Sequence, residues 1–129
     1  MKARLCKFIL STEPINNDMD NFLYNIVMSR EKQAFYLNSQ IGIGALNKDD
    51  LIFIQTEGYI THYCTCKEKG PILINNNRND RQLSINKPIK FKKPINSYIE
   101  LNIRGQAWNI LNSEQINILN KKIEENNNI

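Results

Sequence analysis

Two hydroxyl side chains, Ser11 and Thr12, follow directly after an apolar run that is typical of a buried strand. Pro14 ends that strand, because proline lacks the N–H group that a strand ladder needs. Hydroxyls at a strand end can hydrogen-bond a ligand, or they can cap the helix that follows. The single tryptophan, Trp108, lies in a polar stretch beside Gln106, where it could stack on a nucleic-acid base or plug one end of a barrel. These residues are therefore candidates for a base-binding pocket.

Three residues that could bind a metal, His62, Cys64 and Cys66, alternate along one predicted strand. Alternate side chains share a strand face, and a histidine with two cysteines is a common zinc ligand set. Successive same-face positions are about 7 Å apart, so these side chains cannot chelate one ion without a further segment. Because no fourth ligand is evident, we expect no metal site and expect the cysteines to behave as buried small hydrophobic residues.

Basic residues cluster in the segment 87–93, where strand alternation predicts Lys90 and Lys92 on one face and Phe91 on the other. Together with arginines elsewhere, they could follow a nucleic-acid backbone by neutralising phosphates. The alternative is a solvated strand face that protects a sheet edge. The candidate phosphate-binding residues are Arg78, Arg81, Lys87, Lys90, Lys92, Lys93 and Arg104.

The composition is that of one globular domain. The chain has 129 residues, of which 41% are hydrophobic and 23% are charged, and this size predicts a single domain over residues 1–125 with a frayed polar tail at 126–129. No apolar run reaches the length of a membrane span, and charges interrupt any signal-peptide core, so we expect a cytoplasmic location. The three cysteines predict reduced thiols, and the net charge of +4 fits phosphate binding and an ordinary soluble protein equally well.

The first third of the chain predicts one strand and two helices. Residues 3–10 form an apolar run that predicts a largely buried, central strand. From Asp18 to about Val27, apolar residues recur at helical spacing, with acidic residues where the helix dipole favours them. A second helical stretch is predicted from about Glu31 to Leu37.

The middle of the chain contains a clear hairpin pattern. Residues 51–54 and 59–66 are rich in apolar and β-branched residues and flank Glu57-Gly58, which predicts a β-hairpin with glycine at the turn. The segment 67–82 contains several turn-forming residues and few apolar ones, which predicts a loop.

The last third predicts further strands and a terminal helix. Residues 83–91 alternate as a strand that Pro94 should end, and residues 95–101 predict a turn or short helix. A short strand is predicted over 107–111, followed by a helix that Asn112 caps with Gln115, its buried stripe comprising Ile116, Leu119 and Ile123. Together these elements predict an α+β domain built on a small curved, mostly antiparallel sheet or barrel.

The order of short motifs along nearly the whole chain resembles the EVE domain family of the PUA-like superfamily. The opening Ser11-Thr12-Glu13-Pro14 before an acidic helix is similar to the family's opening motif. Two departures are that Tyr24 stands where the family often has tryptophan and Asp49 where it has a turn glycine. The other segments that carry the resemblance are Gln33-Ala34, residues 46–54, residues 83–95 with Phe91-Lys92-Lys93-Pro94-Ile95, and Arg104-Gly105-Gln106-Ala107-Trp108.

This resemblance implies a PUA-like fold and a module that reads a modified base in DNA or RNA by pocketing a flipped base. It implies no cofactor, and it leaves open a standalone protein or a module that acts with a nuclease or NTPase partner of a restriction system. The residues that it places at the base pocket are Ser11, Thr12, Tyr24, Gln106 and Trp108.

Enzyme signatures are absent from the sequence, since it has no Gly-rich phosphate loop and its single histidine has no evident nucleophile and acid partner. We therefore expect a binding protein. The alternative is a small PUA-like amidohydrolase or ribonuclease acting on modified nucleosides or RNA, with Thr12, Glu13 and Lys32 as conceivable catalytic groups.

Overall fold

A computed structural model describes residues 3–7, 18–37, 44–74, 81–103 and 109–127. Within these ranges the helices are a π-helix, Asn21–Val27, and two α-helices, α1 (Ser97–Leu101) and α2 (Ser113–Asn127). The strands are β1 (Ala3–Lys7), β2 (Ala34–Leu37), β3 (Leu51–Thr56), β4 (Tyr59–Thr65), β5 (Ile72–Leu73), β6 (Arg81–Ser84), β7 (Ile89–Asn96) and β8 (Asn109–Ile110).

These strands form two sheets, one of five strands in the order β7-β4-β3-β1-β8 and one of three strands in the order β2-β6-β5. All registered pairs are antiparallel except β1 with β3, which are parallel. The first strand lies between two others, as the sequence predicts for its described part. The α+β class and the mostly antiparallel pairing are confirmed, but the described strands form two open sheets and no closed barrel.

The five-stranded sheet is the middle layer, with apolar residues on both faces. Along β3, Ile52 and Ile54 belong to one buried cluster, whereas Leu51 and Phe53 belong to another, as the alternation of a strand requires. The first cluster also contains residues of the π-helix and the three-stranded sheet, and the second contains residues of α1 and α2. One face of the five-stranded sheet therefore packs on the π-helix and the three-stranded sheet, and the other packs on α1 and α2.

The predicted hairpin is confirmed as β3 and β4. Its turn residues Glu57 and Gly58 have φ values of 53° and 83°, both in the left-handed region. Two consecutive residues with positive φ are typical of the two-residue hairpin turn whose twist matches that of the flanking strands. One bulge interrupts the pairing, because Ile54 pairs with His62 and Gln55 pairs with Ile60, so that β4 has one extra residue.

The first predicted helix is present, but residues 21–27 form a π-helix. Phe22 and Val27 are both buried, and their spacing of five residues matches the i to i+5 repeat of a π-helix. Met28 N–H accordingly donates to the Leu23 carbonyl at 3.0 Å. This wider turn also presents Asp20 and Tyr24 toward the same histidine of β4.

The predicted second helix, Glu31 to Leu37, is wrong, because residues 34–37 form β2. Ala34, Phe35 and Leu37 are all buried. Antiparallel pairing with β6 satisfies the backbone of this segment. Long-range pairing has here outweighed a local pattern.

The boundaries predicted between residues 67 and 96 also differ from the structure. The segment 67–82, predicted as a loop, contains β5 and the start of β6. The strand predicted over 83–91 is divided between β6 and β7. Pro94 does not end a strand, because β7 continues to Asn96; it is an edge strand, where proline's missing N–H costs no ladder bond.

The end of the chain follows the sequence closely. The short helix predicted within 95–101 is α1, and β8 occupies part of the predicted strand 107–111. Asn112 and Gln115 form a reciprocal capping box, with the Gln115 N–H donating to Asn112 Oδ1 at 2.8 Å and the Asn112 N–H donating to Gln115 Oε1 at 3.0 Å. Helix α2 reaches Asn127, so two residues of the predicted polar tail belong to it.

Candidate functional site

An open groove of about 790 Å³ lies between the π-helix and the start of β7, and we call it the Tyr24 groove. The Tyr24 hydroxyl donates to the Pro88 carbonyl oxygen at 3.0 Å, which joins the two segments. Burial, and secondarily the carboxylate of Asp20, raise the pKa of Tyr24, so the phenol stays neutral and can keep this bond. The groove is lined by Tyr24, Met28, Gln33, Lys87, Pro88, Ile89 and Lys90.

Two lysines give this groove its charge. The exposed Lys87 ammonium lies 5.9 Å from the centroid of the Tyr24 ring, which is within cation–π range. The Lys90 ammonium instead lies 2.6 Å from Asp20 Oδ2. The Asp20 carboxylate raises the pKa of Lys90, and Lys90 is the main cause of the lowered pKa of Asp20. Lys87 is therefore the lysine of this pair whose charge Asp20 does not compensate.

His62 lies behind the groove with only 2% of its side chain exposed. Its Nε2 is 2.7 Å from Asp20 Oδ1, its Nδ1 is 2.7 Å from Thr61 Oγ1, and the Tyr24 ring packs edge-on against it at 5.9 Å. Burial lowers the pKa of His62 and outweighs the opposing effect of Asp20. The neutral ring donates its Nε2–H to the Asp20 carboxylate, which can only accept, so Nδ1 accepts the hydrogen of the Thr61 hydroxyl.

The structure divides the predicted phosphate-binding residues among different places. Lys87 and Lys90 line the Tyr24 groove together with the predicted pocket residue Tyr24. Lys92 and Lys93 line a second groove of about 450 Å³ against α2. Arg81 lies in β6 of the three-stranded sheet.

Several predicted site residues lie outside the described residues. These are the pocket candidates Ser11, Thr12, Gln106 and Trp108, the arginines Arg78 and Arg104, and Glu13 of the enzymatic alternative. The third conceivable catalytic group, Lys32, is described and lies on the surface, 3.4 Å from Glu68.

The trio His62, Cys64 and Cys66 is buried in the interior. Both cysteines belong to the first apolar cluster, and burial, followed by the charge of Cys66, raises the pKa of the Cys64 thiol well above its ordinary value. Within the described residues, no three His, Cys, Asp or Glu side chains are grouped so as to hold a metal ion.

Sequence reasoning missed Asp20 and Thr61 as partners of His62. Asp20 has only one local signal: it is an acidic residue at the start of a helix, where the helix dipole favours negative charge. This signal does not indicate which residue the helix packs against. Thr61 immediately precedes His62, and side chains of consecutive strand residues ordinarily point to opposite faces. The bulge at this position brings the two side chains together, and no sequence signal marks it.

The fold and the site thus define an α+β protein with a groove that contains an aromatic ring and two lysines. Neither the known family models, the curated proteins nor the solved structures contain a match to this chain. Among the described residues, no helix is long and apolar enough to cross a membrane.

Proposed function

We propose that the protein is a nucleic-acid-binding module that reads a modified base in DNA or RNA by pocketing a flipped base. The observation that carries the proposal is the Tyr24 groove, in which an aromatic ring, a lysine ammonium over that ring and a second lysine share one open surface. Stacking of a base on an aromatic side chain contributes about 1–3 kcal/mol, and each lysine that contacts a phosphate adds a salt-dependent attraction.

The contacts of Tyr24 suit it to stacking. Its hydroxyl is held by the Pro88 carbonyl and one ring edge packs on His62, so the ring is fixed before a ligand arrives. The Lys87 side chain is exposed and flexible, so its ammonium can exchange the ring for a phosphate oxygen. A preorganised ring reduces the entropy lost on binding.

The backbone at Asp49 supports the resemblance to EVE domains. This residue stands where the family has a turn glycine, and its φ of 73° lies in the left-handed region that favours glycine. Asp50 closes the same turn, since the Asn47 N–H donates to Asp50 Oδ2 at 2.8 Å. A left-handed backbone at this position is the conformation that a turn glycine would adopt readily.

The experiment is a titration of labelled oligonucleotides that differ only in an unmodified, a cytosine-modified or an adenine-modified base. We expect one modified oligonucleotide to bind at least tenfold more tightly than its unmodified partner. Equal, weak affinity for all of them would refute the reading of a modified base.

Variants in the same assay test the groove. Tyr24→Leu removes the stacking surface and should weaken binding about tenfold or more, whereas Tyr24→Phe keeps the ring and should bind nearly as the wild type does. Lys87→Gln should flatten the dependence of log K on log salt by about one unit. Lys121→Gln, an equal charge change on α2, is the matched control and should leave binding almost unchanged. If Tyr24→Leu binds as tightly as Tyr24→Phe, the groove is not the binding surface.

The proposed partner is a nuclease or NTPase of a restriction system. Binding a modified base does not cut nucleic acid, so a separate enzyme would be needed for cleavage. Co-purification of the tagged protein with such an enzyme, dependent on modified nucleic acid, would identify it. The reader itself is proposed to need no cofactor.

A further inference from the structure

The proposed function does not use Thr61, which is the extra residue of the bulge in β4. In the pairing with β3 the register passes from Ile60 to His62, and in the pairing with β7 it also omits Thr61. On the β7 side, the register moves from Ile95 to Lys90 over the same step, so that residues 91–94 have no registered partner in β4. Bulges of this kind often re-aim a side chain beside an active site.

The bulge completes a chain of three functional groups. Thr61 Oγ1 is 2.7 Å from His62 Nδ1, and His62 Nε2 is 2.7 Å from Asp20 Oδ1. Since the ring donates to Asp20, its Nδ1 lone pair points at the Thr61 hydroxyl hydrogen. A hydroxyl bound to a base that is in turn oriented by a carboxylate is the arrangement of an activated nucleophile.

The Thr61 end of this chain opens into a cavity of its own. The cavity is open to solvent, has a volume of about 430 Å³ and lies between β4 and Pro94 of β7. Among the described residues, its lining is largely apolar with one carboxylate from the hairpin turn, and comprises Met19, Thr56, Glu57, Tyr59, Thr61 and Pro94. Such a cavity fits a small neutral or cationic organic molecule and disfavours an anion.

We propose that Thr61 is a nucleophile that cleaves short-chain carboxylic esters in this cavity, with His62 as general base and Asp20 as the group that orients it. This activity is independent of the proposed nucleic-acid binding, since Thr61 does not line the Tyr24 groove. The sequence offered no evident partners for the single histidine, and tertiary structure supplies both.

The reaction has two balanced steps. First, Thr61 Oγ1 attacks the ester carbonyl carbon while its proton moves to His62 Nδ1, and collapse of the tetrahedral intermediate breaks the bond to the alcohol, which leaves with that proton. Second, water attacks the acyl–Thr61 ester and gives its proton to His62 Nδ1, and the proton returns to Thr61 Oγ1 as the carboxylic acid is released. No oxidant, reductant or further reactant is required.

The test uses 4-nitrophenyl acetate as the probe and the full chain as the enzyme. Release of 4-nitrophenol by the wild type should exceed that of Thr61→Val at least tenfold, whereas Thr61→Ser, which keeps a hydroxyl, should retain activity. Brief reaction and acid quenching should leave one acetyl group on Thr61, located by peptide mass analysis. Thr61→Val has nearly the shape of the wild type, and its circular dichroism spectrum would establish that it folds.

A pH profile separates a catalytic role from a structural one. The charged and titratable groups around His62 are Asp20 and Tyr24 of the π-helical segment and Lys90 of β7. Ester cleavage should fall as the pH is lowered and His62 becomes protonated. Equal rates for wild type and Thr61→Val, or acetylation confined to lysines in both proteins, would overturn the proposal.

Discussion

His62 is a buried histidine with a hydrogen-bond partner on each ring nitrogen, Thr61 on one side and Asp20 on the other. Burial lowers its pKa from the ordinary value of 6.5, although Asp20 acts in the opposite direction. Desolvation prevails because 2% of the side chain is exposed, and Asp20 is partly neutralised by Lys90. The native state therefore favours the neutral ring.

This shift predicts a pH dependence of stability. Below pH 6.5 the unfolded chain binds a proton at His62 more readily than the native state does, so the free energy of unfolding falls as the pH drops from 6.5 toward the lower native pKa. We expect urea denaturation to show lower stability at about pH 5.5 than at about pH 7.5. His62→Gln, which keeps an amide donor for Asp20, should show a smaller loss over the same range. An equal loss in both proteins would assign the effect to other groups.

At the scale of the elements, the β3–β4 hairpin depends on a turn with two left-handed residues. Gly58 accepts a φ of 83° without cost, whereas Glu57 adopts a φ of 53° that is unfavourable for a residue with a side chain. The space where a Cβ of residue 58 would lie is open, with no atom within 4 Å. Glycine is thus favoured at position 58 because of the backbone conformation there, and not because a side chain would clash.

Two substitutions in this turn should have opposite effects. Gly58→Ala should lower the free energy of unfolding by about 1 kcal/mol, since the new side chain disfavours the left-handed region. Glu57→Asn should raise it by roughly 0.5 kcal/mol, because asparagine followed by glycine is the preferred pair for this turn. Chemical denaturation of both variants measures the difference. If Gly58→Ala is as stable as the wild type, the turn does not hold the geometry described.

At the scale of the whole molecule, the end of α2 is attached to the edge of the large sheet. The Lys92 N–H donates to Asn126 Oδ1 at 2.7 Å, and Asn126 Nδ2 donates to the Lys90 carbonyl at 3.2 Å. Strand β7 is an edge strand, and its free backbone groups would otherwise be open to pairing with another chain. One side chain thus joins the helix to the sheet and protects part of that edge.

Asn126→Ala should therefore destabilise the protein by about 1 kcal/mol, because two hydrogen bonds are lost at a partly exposed site. The Lys92 amide should also exchange its hydrogen faster. Asn120→Ala, an exposed position on the same helix, is the matched control and should be neutral or slightly stabilising, since alanine favours the helix. Equal stability of the two variants would mean that the helix end behaves as the frayed tail that composition predicts.

Local patterns predicted the features whose determinants lie close together in the chain. Glu57 and Gly58 specify their turn by their own backbone preferences, and Asn112 and Gln115 cap α2 across three residues. Residues 34–37 could not be assigned in this way, because their strand conformation depends on β6, nearly fifty residues later in the chain. The prediction that Pro94 ends a strand was wrong for a similar reason, since the cost of a proline depends on whether the strand is central or at an edge.

The sequence by itself determined the α+β class, the hairpin, the terminal helix and a set of basic and aromatic candidates, because composition and short-range periodicity carry that information. Only the tertiary structure decided which candidates meet. It placed Tyr24 beside Lys87 and Lys90, set Lys92 and Lys93 against α2, and brought Asp20 to His62 across 42 positions. Such contacts depend on register, on a bulge and on how the π-helix packs on the sheet, which are long-range properties of the folded chain that no local pattern encodes.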